Sequence, residues 1–97
     1  MPLQMRIYTI NRGSLAAFSD EWKQTIKPIR EKVGFDIPAA WTVSETNQFI
    51  WLMHYDGPQS WESLDRAFFS HPERRTMNPD PARHIARMQN YFIDPVE

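Results

Sequence analysis

Apolar residues alternate along the first strand-like stretch, then recur in steps of three and four. Residues 4–10 ("QMRIYTI") are β-branched or aromatic enough for a strand, and the following "NRGS" is turn chemistry ending in a helix cap, Ser14. Leu15, Phe18, Trp22, Ile26, Ile29 and Val33 then draw one stripe along a helix that Gly34 closes. Pro28 lies inside that stripe, where it removes a backbone donor and crowds the preceding turn, so a kink is expected over 24–28. "DIPAAWTVSETNQFIWLMHYDG" reads as a hairpin, with strands over 37–44 and 48–55 and a polar turn over 45–47. A second helix starts from a Ser60 cap, carries Trp61, Leu64 and Phe68 on one face, and ends at Pro72. "TMNPDPA" is a loop. The last segment, which could begin as a helical turn, reads as a closing strand over 88–93 stopped by Pro95. The order is βαββαβ in one domain spanning 1–97.

Strand residues point alternately to the two sheet faces. Phe49, Trp51, Met53 and Tyr55 therefore oppose Ile50, Leu52 and His54, and Arg6, Tyr8 and Ile10 oppose Met5, Ile7 and Thr9. Both faces are apolar, yet two helices cover only one. The uncovered face would be a wet apolar patch, which predicts face-to-face pairing in a homodimer.

Composition narrows the partners. Ninety-seven residues bury one core, and eleven basic against twelve acidic residues give no field to gather nucleic acid or an anionic membrane. The absence of cysteine fits a reducing compartment, the N-terminus lacks a signal-peptide pattern, and the apolar run "FIWLM" is far short of a membrane span. A cytoplasmic protein with no membrane or nucleic-acid partner is expected. An RNA-recognition module shares the βαββαβ order and reads bases with strand aromatics, but it needs Lys/Arg-Gly where this strand begins "NQFIW".

"RIYTINRG", "WTVSETNQFIWLMHYDG" and "DRAFFSHPERR" together resemble the NIPSNAP family. In that family an Arg-x-Tyr-Thr strand leads through a Gly turn into helix one, a Trp-Thr hairpin has an Asn before its second strand, and helix two ends in a His/Asp-Pro motif. The resemblance implies a ferredoxin-like α+β protomer that dimerises into an α+β barrel, the scaffold shared with antibiotic-biosynthesis monooxygenases, EthD-like proteins and haem-degrading enzymes. It implies no particular reaction. The Asn, Trp and His set of the haem-degrading relatives is not placed here position by position, which leaves haem as a secondary alternative ligand.

The chain lacks a Gly-x-Ser-x-Gly elbow, a phosphate-cradling glycine loop and an HExxH motif. His54, His71 and His84 are scattered, so no metal site is expected. His54 reads either as a hydrogen-bonded core imidazole or as a base, and His71 as a cap at a helix C-terminus. The tryptophans 22, 41, 51 and 61 suit a core, an interface or an aromatic pocket, and "ERR" at 73–75, with Arg83 and Arg87, suits a solvated surface first and an anion contact second. Arg6 alternates with Tyr8 onto the helix-side face, while Asp20 and Glu21 fall off the helix stripe. Arg6 thus lacks an evident carboxylate, which suggests an anionic ligand; the alternatives are snorkelling to the sheet edge or a carboxylate elsewhere in the chain. The expected site has Tyr8 and His54 as catalytic groups, and Arg6, Trp41 and Asn90 holding a small aromatic or polyketide-like metabolite between sheet and helices. An enzyme built this way would be an oxygenase, isomerase or cyclase that uses no cofactor. The other reading is a non-catalytic binding or assembly module.

Overall fold

The computed structural model describes residues 2–97. Strand β1 (Leu3–Ile10) is followed by a long helix in three segments: α1 (Leu15–Glu21), a π turn (Trp22–Ile26) and α2 (Lys27–Val33). The hairpin strands are β2 (Ala40–Val43) and β3 (Gln48–His54), then come α3 (Trp61–Ser70), the short α4 (Pro72–Arg75) and β4 (Ile85–Phe92). All four strands pair antiparallel in the order β2-β3-β1-β4, a ferredoxin-like α+β arrangement.

The proline in the first helix acts as its chemistry requires. Pro28 has no N–H and its ring crowds the carbonyl of Gln24; the helix answers by widening, so that the Lys27 N–H reaches the carbonyl of Trp22 five residues back. Gly34, at φ 122°, then ends the helix in a conformation that L side chains rarely adopt. Asn47, at φ 56°, closes the hairpin, and its side-chain amide donates to the carbonyl of Ile10 at 2.5 Å, tying the turn to the end of β1.

Three expectations change. β2 is shorter than 37–44, because Pro38 offers no donor; a Leu52 N–H bond to the Ala39 carbonyl and an isolated Asp36–His54 bridge continue the pairing. Pro72 does not simply stop α3 but opens α4 from its first turn, where a missing N–H costs nothing. His71 joins the two helices: its N–H donates to the Phe68 carbonyl at 3.2 Å as the C-cap of α3, as expected, and its Nδ1 accepts from the Glu73 N–H at 3.2 Å as the N-cap of α4. The last strand also begins earlier than 88, at Ile85, after a short turn over Pro81–His84.

The helices cover one sheet face. Tyr8, Ile10, Phe49, Trp51 and Met53 from the sheet interlock there with Phe18, Trp22, Ile26, Ile29, Leu64 and Phe68. Rings meet edge to face, as in Trp22 with Trp51 at 5.3 Å and Phe18 with Phe49 at 5.1 Å. Each such side chain, fully buried, contributes about 1.5–3 kcal/mol. On the opposite face Leu3, Met5, Ile7, Ile50 and Leu52 stay only half-buried and Trp41 is exposed.

Candidate functional site

Alternation along β1 sets Gln4, Arg6 and Tyr8 in one row beneath the helices, and all three are buried. Arg6 is held by its neighbours: Nε donates to Gln4 Oε1 at 2.7 Å and Nη1 to the Tyr8 hydroxyl at 3.3 Å. From α2, one turn beyond Ile26, Arg30 descends onto the same spot with 2% of its surface exposed. Its Nη1 donates to Asp65 Oδ1 at 2.6 Å, and the same oxygen lies 3.6 Å from Arg6 Nη2. Two buried guanidiniums therefore share one carboxylate oxygen, whose side chain is a third exposed.

A third arginine completes the cluster. Arg74, on α4, donates to Asp80 Oδ2 at 3.2 Å and reaches over the rings of Phe68 and Phe69. Arg6, Arg30 and Arg74 line a narrow cavity of about 50 Å³, floored by Tyr8 and walled by Phe68, Phe69 and Met88. The Nε atoms of Arg30 and Arg74 are buried without a hydrogen-bond partner among the described residues, and so is Nε1 of Trp51, whose ring lies under Arg6. Burial, and then repulsion from Arg6, push the Arg30 guanidinium down to about 10; Asp65 opposes both. Surplus positive charge in a dry setting is the site's chief electrostatic feature.

Three larger hollows lie elsewhere, one of about 240 Å³ beside Trp41 and Phe49 and two of roughly twice that volume. One, of about 460 Å³, runs between the first helix and the segment around Met77, but its carboxylates are spoken for: Glu21 by Arg83 and His84, Glu73 by Lys32. The other, of about 450 Å³, is a surface groove between Trp22, Lys23 and the chain before β2. Size favours these, but none gathers several buried charged groups as the arginine cavity does.

Against protein-family models, the NIPSNAP model matches residues 3–97. The chain belongs to the NIPSNAP family. Among solved structures, a NIPSNAP domain protein from Burkholderia xenovorans superposes with a TM-score of 0.84 at 18% identity, over 98% of this chain and 94% of that one. A NIPSNAP family protein from Agrobacterium tumefaciens gives 0.86 at 13% identity, over 99% and 93%. An antibiotic biosynthesis monooxygenase gives 0.70 at 8% identity, over the full length of both chains. At these identities the likeness carries the fold and no activity. No curated protein matches.

Within this NIPSNAP chain the sequence-predicted residues divide between the two faces. Arg6 and Tyr8 adjoin the cavity, and Asn90 stands opposite Arg6 in the β1–β4 register, exposed on the same face. Trp41 pairs with Ile50 and His54 with Leu3, so both belong to the helix-free face and do not share a cavity with Arg6. Trp41 is half exposed, and His54 Nδ1 sits 3.4 Å from Asp36 Oδ2 at the sheet edge. Arg30 and Asp65 are not singled out by the sequence, whereas Arg74 lies in the "ERR" run that suits a solvated surface or an anion contact. A signal for Arg30 existed: it continues the four-residue spacing of Trp22 and Ile26. Asp65 follows Leu64 at the border of the α3 stripe, where an acid reads as solvated.

Proposed function

We propose that this NIPSNAP protein is a cytoplasmic homodimer that binds a small aromatic or polyketide-like, anionic metabolite in the cavity between sheet and helices. The observation that carries this reading is the sharing of one carboxylate oxygen by two buried guanidiniums, Arg6 and Arg30. Burying a guanidinium is costly unless it is paired, and a bound anion would relieve the excess. The half-buried apolar face with Met5, Ile7, Ile50 and Leu52 supports the dimer, because a second copy would take it out of water.

As an enzyme the site suits an oxygenase, isomerase or cyclase acting without a cofactor on a substrate that stabilises its own carbanion. The arginines would hold an enolate or carboxylate oxygen. The Tyr8 hydroxyl, which accepts from Arg6, keeps its own proton to donate to that oxygen. One observation favours the second reading, a binding module without catalysis: Asp65, the carboxylate at the cluster, is engaged by Arg30 at 2.6 Å, and no imidazole lines the cavity to serve as a base. A thermal-shift screen of anionic aromatic metabolites on the parent, Arg6→Met and Arg30→Met tests the binding claim. Shifts seen in the parent should vanish in both variants. Shifts that persist unchanged in both would sink the site.

A further inference from the structure

This inference rests on the ligand-binding reading above, which leaves open the anionic group and its charge, and the cavity itself restricts these in three ways. Charge is the first. Arg6, Arg30 and Arg74 meet two carboxylates, Asp65 and Asp80, so the cluster keeps one positive charge unmatched. A neutral ligand leaves that charge uncompensated, and a dianion replaces it with an unmatched negative one.

Hydrogen-bond supply is the second. Arg30 Nε and Arg74 Nε are buried donors without partners among the described residues, and the Tyr8 hydroxyl has a proton beyond the bond it accepts from Arg6. Donors from a planar guanidinium fork suit a pair of oxygens on one atom. Size is the third. About 50 Å³ admits a head group and little more, while Phe69 and Met88 at its wall are each about half exposed, 52% and 47%. A ligand body must therefore lie outside, on apolar side chains that water now covers.

We propose that the site is a receptor for apolar monocarboxylates, whose single carboxylate enters among Arg6, Arg30 and Arg74 while the apolar body rests on Phe69 and Met88. Asp65 sets the charge that the site accepts by cancelling one guanidinium from the far side of the cluster.

Calorimetric titration with benzoate, benzamide, phthalate and acetate tests this. In the parent, benzoate should bind at least tenfold more tightly than neutral benzamide, dianionic phthalate or acetate, which lacks an apolar body. Asp65→Asn frees a second positive charge, so phthalate should rise to match or exceed benzoate. Arg74→Met, at a more accessible arginine, removes one charge and should bring benzoate down to the level of benzamide even if Asp65→Asn folds poorly. Benzamide binding as tightly as benzoate in the parent would overturn the charge rule while leaving the pocket a binding site. Phthalate rejected equally by parent and a folded Asp65→Asn would mean that shape, not charge, excludes it, and the role given to Asp65 would fall. If none of the four binds, and none of the anionic metabolites screened above does, both the monocarboxylate proposal and the binding reading beneath it are wrong.

Discussion

The guanidinium carbon of Arg30 lies 3.7 Å above the ring of Phe68, closer than any other cation and ring in the described residues. Helix α2 and helix α3 thus meet through a charge on an aromatic face, in addition to the aliphatic packing of Ile29 and Leu64 in the core. A cation over a ring contributes about 0.5–2 kcal/mol, which offsets only part of the cost of drying the charge.

Arg30→Met should consequently leave stability unchanged or raise the melting temperature by a few degrees, since methionine keeps the packing on Phe68 and removes the buried charge. The sign is checked by pH. With its folded-state value lowered from the ordinary guanidinium range to about 10, Arg30 binds fewer protons in the folded chain than in the unfolded one between those limits. Its cost is full below about 10 and is relieved as pH rises through that window. Differential calorimetry of parent and variant at pH 7 and 10.5 should show a gap that narrows with pH; a variant much less stable at pH 7 would make the arginine a net stabiliser.

Asp65→Ala has the opposite expectation. It strands Arg30 and Arg6, which are 2% and 5% exposed, beside one another without a counter-charge. Breaking a buried pair from one side costs about 3–5 kcal/mol, and the partial exposure of Asp65 argues for the lower end. Urea unfolding measures it. A loss under about 0.5 kcal/mol would show that the two arginines need no carboxylate.

Glu21 provides an acid-range prediction. Hydrogen bonds from Arg83 at 2.7 and 2.9 Å, with a smaller contribution from His84, hold its carboxyl below the usual carboxylate range despite an opposing effect of burial. The unfolded chain therefore takes up the proton first as pH falls. The stabilisation is complete above the ordinary glutamate value and disappears as pH drops through the lowered folded value. Because the pair is largely solvated, the effect should be about 1 kcal/mol or less, seen as a shallower acid limb in Glu21→Gln. An identical limb in parent and variant would mean that the contact is absent in solution.

The sheet face without helices predicts the assembly. Leu52 pairs with Met5 across the β1–β3 register and is half-buried in the protomer, so Leu52→Asp should split a dimer without unfolding the chain. Trp51, one residue earlier, is wholly buried in the core, and Trp51→Asp should unfold it instead. Light scattering after size exclusion separates the outcomes: a monomeric parent ends the dimer proposal.

How far the sequence reads depends on the distance over which each signal acts. Alternation in "MRIYTI" and "NQFIWLMH" is local and reports side-chain direction, so Arg6 and Tyr8 fall on the covered face as expected, and His54 joins Ile50 and Leu52 on the other. Which helix residue arrives opposite Arg6 depends on how α3 crosses the sheet, and no spacing within α3 encodes that. Asp65 was invisible for this reason: beside Leu64 it resembles any solvated acid, and only folding brings it to an arginine fifty-nine positions earlier. Pro72 is legible as an interruption, whereas Pro38 falls inside the strand expected over 37–44 and instead precedes β2; whether a proline ends one element or begins the next depends on whether its missing donor is needed.

The π turn at Trp22–Ile26 also bears on how this chain tolerates change in length. A wide turn of this kind absorbs one extra residue in an otherwise regular helix, whereas an insertion elsewhere would rotate everything downstream by about 100° and advance it by about 1.5 Å. Loss of one exposed residue within it, such as Gln24, together with replacement of Pro28, whose ring the wide turn accommodates, would restore ordinary helical winding with α2 in its present phase and Arg30 still over Phe68. A deletion early in α2 itself would instead turn Ile29 and Arg30 away from the sheet. The helix thus carries one place where its numbering can slip without moving the arginine.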